Sequence, residues 1–138
     1  MICYYCGSLN GDTLDHIIPY SFYSLHHKRI KSSSYNDPVP VVPACRECNS
    51  TLHNILYIDI RDRADILKER YLKKYAKILK TPHWDKKDIL KLGKTLRAVI
   101  IKDTFIKKDI LERLDYLEMI ANLAEDPFLE EKKALGWM

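Results

Sequence analysis

No apolar run in this chain approaches the roughly 18 residues needed to cross a bilayer, so hydropathy predicts no membrane partner. Met1-Ile2 opens directly on Cys3, which leaves no room for a secretory leader and predicts a cytoplasmic protein. No cysteine is left over: the four fall into two Cys-x-x-Cys pairs, which in a reducing compartment are more often metal ligands than disulfides. There is no internal repeat and no low-complexity tract, Ser32-Ser33-Ser34 being simply loop. Acids are scarce in one place only. Residues 68–97 hold eleven Lys or Arg against three acids, a local balance of +8, whereas residues 1–58 hold four of each sign. A basic block joined to a neutral segment predicts a polyanionic partner, most simply nucleic acid.

With 46% apolar residues in 138, the chain can bury a core, which excludes global disorder and suits one domain or a small domain with an appendage. Gly7, Asn10 and Gly11 break the first segment into a knuckle and turn. Thr13 to Ile18 reads as a short strand ending at Pro19, and Val39 to Val42 as a second, confined by Pro38, Pro40 and Pro43 to an edge or an irregular hairpin. A polar loop fills 20–38 between them. Beyond Cys48 the pattern turns helical. Leu52, Ile55, Leu56 and Ile60 keep three-and-four spacing, and a helix over about 62–80 offers Ile66, Leu67, Tyr71, Tyr75, Ile78 and Leu79 for a buried face. Asp85 and Asp88 resemble a helix start, followed by a stripe from Ile89 to Ile100 that Gly93 weakens by about 1 kcal/mol. A third helix over about 107–124 carries Ile110, Leu114, Leu117, Ile120 and Leu123, stops at Asp126-Pro127, and leaves a loose tail.

Chemistry concentrates in the first third. Cys3, Cys6, Cys45 and Cys48 make two tight thiolate turns, and two such turns close the tetrahedral shell of a structural Zn2+ with no open position. A zinc clamp would offset the small core that about 58 residues can build alone. Between and beside the knuckles stand Asp15-His16-Ile17-Ile18-Pro19, Asn49 and His53. Asn49 and His53 are four apart and share a helix face. Singly, each has a plainer reading: Asp15-His16 as a turn, Asn49 as a helix N-cap, His53 as a half-exposed helix residue.

Taken together in this order, Cys3, Cys6, Asp15-His16-Ile17-Ile18-Pro19, Val42-Pro43-Ala44-Cys45, Cys48-Asn49-Ser50 and His53 resemble the HNH (ββα-metal) endonuclease family, in the branch braced by two Cys-x-x-Cys knuckles. The resemblance spans residues 3–53. It implies His16 as general base, Asp15, Asn49 and His53 as ligands of a catalytic Mg2+ or Mn2+, and products with 5′-phosphate and 3′-hydroxyl ends. It also suits phage or mobile-element biology, hence the cytosol of a host cell. One departure stands out: the family's middle Asn, five positions before the third cysteine, falls on Pro40, which has neither a side-chain donor nor a backbone N–H. Asn36 can replace it only if the loop folds back, since four residues of strand span about 13 Å.

The sequence therefore predicts an α+β fold: a zinc-braced, treble-clef-like ββα-metal module over 1–58 and a basic α-helical bundle region over 59–138. Lys73, Lys74, Lys77, Lys80, Lys87, Lys91, Lys94 and Arg97 are the expected contacts to DNA, most simply double-stranded. His26, His27 and His83 read as solvated loop residues, and Trp84 as packing. The leading expectation is a DNA endonuclease hydrolysing phosphodiester bonds by a one-metal mechanism. The rivals are a degenerate, non-catalytic zinc-containing DNA-binding protein and a protein-interaction adaptor. A homodimer or protein partner through the C-terminal helices stays open.

Overall fold

A computed structural model of the chain describes residues 1–17, 41–53, 55 and 59–134. Pro40 and Asn36, and with them the question of the middle Asn, lie outside the described residues, as do His26 and His27. The architecture is α+β and mostly helical. Strands β1 (Thr13–His16) and β2 (Val41–Ala44) form an antiparallel two-stranded sheet with Thr13 opposite Ala44 and His16 opposite Val41. The second strand thus ends two residues beyond the expected Val42, residues 39 and 40 lying outside the described residues. Pro43 is tolerated because only one side of β2 is paired to β1; its carbonyl accepts instead from the Tyr4 amide, at 2.8 Å, tying the first knuckle to the hairpin.

Helix α1 (Arg46–Thr51) starts from Cys45, whose extended backbone and Sγ, accepting from the Cys48 amide at 3.4 Å, make the knuckle its own cap. Asn49 is therefore inside the helix rather than at its cap. Helix α2 (Ile60–Lys74) is capped by Asp59 and followed by the short α3 (Ala76–Leu79) and α4 (Lys86–Leu90). Asp85 is the α4 N-cap residue but makes no side-chain cap bond. The two helices expected over 85–100 and 107–124 are divided differently. The break falls at Gly93, whose extended backbone starts a single 28-residue helix, α5 (Lys94–Ala121). Glycine is far less costly at that N-cap than in a helix interior.

The tail is also more ordered than its composition suggests. Asp126 and Lys132 form a buried ion pair, helix α6 (Leu129–Ala134) follows, and Phe128 packs edge-on against Tyr4 at 5.8 Å. One hydrophobic cluster runs through the knuckles, the hairpin and the helices. It contains Tyr5, Ile17, Val42 and Leu52 together with Ile60, Ala64, Leu67 and Tyr71 of α2 and Ile110, Leu114, Leu117 and Ile120 of α5. Arg61 donates to the carbonyls of Leu123 and Ala124, closing the C-terminal end of α5 onto the start of α2. Gly7 sits at φ 73°, and a Cβ there would lie 2.9 Å from the Tyr116 ring, so the first knuckle rests directly on α5. No described helix is long and apolar enough to cross a membrane.

Candidate metal centre and its surroundings

The four cysteine sulfurs, far apart in sequence, lie within 4.8 Å of one another, all on buried residues. Among the described residues this is the one group of three or more His, Cys, Asp or Glu ligand atoms so arranged. All four are free thiols, and Cys6 Sγ is 3.8 Å from Cys45 Sγ. A tetrahedron with metal–sulfur bonds of about 2.3 Å has edges of roughly 3.8 Å, so the cage fits a metal ion such as zinc. The sulfurs tune one another. Hydrogen bonding from Cys3 and Cys48 holds Cys45 at about 7, below the usual thiol range. Cys48 is pushed far up by its contacts with Cys3, Cys45 and Cys6, because four crowded sulfurs cannot all carry charge without a cation.

The helices supply the next layer. Tyr71 of α2 donates its hydroxyl to Cys48 Sγ at 2.9 Å, and burial, followed by the neighbouring Cys48, holds its proton well above the usual phenol range. Arg113 of α5 lies 4.9 Å above the Tyr71 ring and pairs with Glu47 Oε1 at 2.5 Å. Glu47, inside the second knuckle, also accepts from Lys74 at 2.6 Å and from the Tyr75 hydroxyl. Burial alone would raise the Glu47 carboxyl; Lys74, Tyr75 and Arg113 outweigh it and hold it at about 2. The presence of Cys6 beside Arg113 strengthens the guanidinium's hold on its proton as well, against desolvation. Tyr71 thus orients Cys48, and Arg113, held by Glu47, sets a positive charge beside Cys6.

Asp15, expected as a metal ligand, faces the interior. It is 5% exposed, and its Oδ2 accepts from the Tyr5 hydroxyl at 2.5 Å and from Arg63 of α2 at 2.8 Å. Arg63 also donates to Tyr5 and to the Ile55 carbonyl. The reason is the two-residue period of the strand: Asp15 lies on the core face of β1 while its neighbours are only half-buried. A charge there needs a buried partner, and Arg63 provides it. His16, the expected general base, ends β1 and is half-buried.

Asn49 and His53 do come together. They line a shallow depression with Thr13, Arg46 and Ser50, to which neither Asp15 nor His16 contributes. The Asn49 amide donates to Thr13 Oγ1 at 3.1 Å and to the Leu14 carbonyl at 3.2 Å, latching helix α1 to the strand that carries Asp15 and His16. His53 is exposed just past the end of α1. For a hard dication this set offers an amide and an imidazole, with Arg46 alongside and the nearest strand carboxylate held by Arg63.

Of the expected DNA contacts, Lys73, Lys74, Lys77, Lys80, Lys87, Lys91 and Lys94 are exposed. Lys74 is drawn to Glu47, and Arg97 is half-buried, donating to the carbonyls of Leu90 and Leu92 at the end of α4. Trp84 is half-buried beside a cavity of about 600 Å3 that Ile100 and Leu111 of α5 also line.

Tyr5, Glu47, Arg63, Tyr71 and Arg113 are the site residues that sequence reasoning did not single out for this role. Arg63 had a legible signal, since a charge three residues after Ile60 and four before Leu67 interrupts an apolar helical face. Arg113 and Tyr71 had none, because their approach to the sulfurs depends on how two distant helices pack. Comparison with known proteins finds no matching family model, no matching curated protein and no matching solved structure.

Proposed function

We propose that this protein is a metal-dependent DNA endonuclease built on a zinc-braced ββα module, as its resemblance to the HNH family implies. The observation that carries this reading is the latch from Asn49 to Thr13 and Leu14, which joins the strand ending in His16 to the helix that bears Asn49 and is followed by His53, beside the four-sulfur cage. In this reading His16 takes a proton from the attacking water. The water oxygen bonds to phosphorus, the bond from phosphorus to O3′ breaks, and the 3′ oxygen leaves as the hydroxyl after gaining a proton. Asn49 and His53 would hold a divalent cation such as Mg2+ or Mn2+, which when bound stabilises the charge on the phosphoryl oxygens. Zinc in the cysteine cage would be structural, and exposed Lys73, Lys77, Lys80, Lys87 and Lys91 would hold the phosphate backbone without reading sequence.

One observation favours a second reading. The buried pairing of Asp15 with Arg63 removes the anionic ligand that the resemblance implies, which suits a zinc-braced protein that binds DNA without cutting it. Incubation of zinc-loaded protein with supercoiled plasmid in Mg2+ or Mn2+ separates the two. The endonuclease reading expects nicked or linear product from the wild type and none from His16→Ala at unchanged zinc content. Tight, salt-sensitive DNA binding with no cleavage by the wild type would establish the second reading instead. Absence of DNA binding even at low salt overturns both.

A further inference from the structure

Helix α5 is about 42 Å long at 1.5 Å per residue, and its buried residues, Ile110, Leu114, Leu117 and Ile120, all lie in the C-terminal half. On the face away from them runs a second stripe at alternating four-and-three spacing: Lys94, Ala98, Ile101, Phe105, Lys108, Glu112, Asp115 and Met119. Every member is exposed, with Phe105 at 69% and Ile101 at 40%. Spacing of this kind is the seam of a helix pair, yet every member is left exposed by the described residues, although Lys108, Glu112 and Asp115 also border the cavity lined by Pro82 and Trp84. Its charge is polarised. Lys94 stands at the N-terminal end, the apolar pair Ile101–Phe105 near the middle, Lys108 just beyond it, and Glu112 and Asp115 towards the C-terminal end. None of Lys94, Lys108, Glu112 or Asp115 has an ion-pair partner among the described residues.

We propose that this stripe is a self-complementary docking surface on which a second copy of the chain packs its own α5 antiparallel. With Ile101 of one copy opposite Phe105 of the other, the two-fold axis falls at the level of residue 103. Lys94 then faces Glu112 of the other copy, and the Lys108 stem lies over Ala98. Each contact occurs twice by symmetry. A parallel arrangement would set Lys94 against Lys94 and Glu112 against Glu112. Duplex DNA suits the stripe less well, because its middle is apolar and its C-terminal end acidic. Lys94, expected at a phosphate, here serves the protein contact. The pairing does not rest on the endonuclease reading; if that reading holds, it sets two ββα modules about one two-fold axis. The seam is narrow, so the dimer is weak and salt-sensitive.

Sedimentation velocity of the full zinc-loaded chain over a concentration series at low salt tests this. A reversible monomer–dimer equilibrium is expected. Phe105→Glu should raise the dissociation constant at least about 100-fold, since symmetry applies the loss twice. Lys94→Glu should also weaken the dimer, and the double variant Lys94→Glu/Glu112→Lys should restore it. All these positions are exposed, so the variants should keep the wild-type circular dichroism and melting temperature. A wild type that stays monomeric to the highest concentration, a dimer unmoved by Phe105→Glu, or a charge swap no better than its single parent overturns the proposal.

Discussion

Replacing Arg63 by methionine removes the cation that faces Asp15 while keeping most of the side chain's length. In the native protein the two side chains are 1% and 7% exposed and 2.8 Å apart, and Tyr5 donates to the same carboxylate oxygen. Without the guanidinium the carboxylate stays in the core with one neutral donor. Stranding one member of a buried ion pair costs about 3–5 kcal/mol, a large fraction of the about 5–15 kcal/mol that holds a typical domain together. At roughly 2–4 °C per kcal/mol for a chain of this size, the melting temperature should drop by about 10 °C. The double variant Asp15→Asn/Arg63→Met removes both charges and should recover most of the loss, leaving a coupling of about 2 kcal/mol or more between the sites. Urea unfolding followed by far-ultraviolet circular dichroism at pH 7, with zinc in excess, measures all three. A cost under about 1 kcal/mol for Arg63→Met, or a double variant equal to the sum of the singles, would refute the buried pair. It would then free Asp15 for the ligand role that the sequence resemblance implies.

Three other outcomes follow from the same geometry. Metal analysis should find one zinc bound by the cysteine cage; Cys48→Ser, or a strong chelator, should remove it and unfold the knuckles. Structural zinc contributes about 10–16 kcal/mol in small domains, as much as a whole fold. Tyr71→Phe keeps the buried ring but loses the hydroxyl donated to Cys48, and should weaken zinc affinity about tenfold in competition with a chromophoric chelator. Glu47→Gln should destabilise the protein by about 2 kcal/mol at pH 7, an estimate discounted for partial exposure. Because the Glu47 carboxyl is held at about 2, its contribution is present above the ordinary carboxylate range and disappears as pH falls from about 4.5 towards 2. The difference between wild type and Glu47→Gln in paired pH melts should shrink over that window; a constant or widening difference would contradict the assignment.

Local spacing made much of the protein legible. Two Cys-x-x-Cys turns determine two thiolate pairs by their own tight geometry, and apolar periodicity marked the packed positions of α2 and of the second half of α5. Breakers located the elements less well than they located the boundaries between them. Gly93 was read as a weakness inside a helix, and is instead where one helix begins. Asp126-Pro127, read as the end of ordered structure, precedes a helix whose Lys132 is buried against Asp126. Backbone propensity carries no information about a buried ion pair that closes around a Pro127 turn, even between residues six apart, which is why the tail was misjudged.

Which face of β1 meets the core was the decision that sequence could not make. Asp15 and His16 are adjacent, so one of them had to point inward, and an alternating strand allows either choice. The choice fell to a residue 48 positions away: Arg63 on α2 enters the core and takes Asp15 with it. In the same way, Cys48 receives a hydroxyl from Tyr71 and Glu47 a guanidinium from Arg113 only because α2 and α5 pack together behind the knuckles. The amino-acid order by itself determined the two cysteine pairs, the hairpin and the helical faces, since those follow from spacing along a few residues. Charge pairing across the core required the folded chain, because it depends on distances that close only when remote helices share one interior.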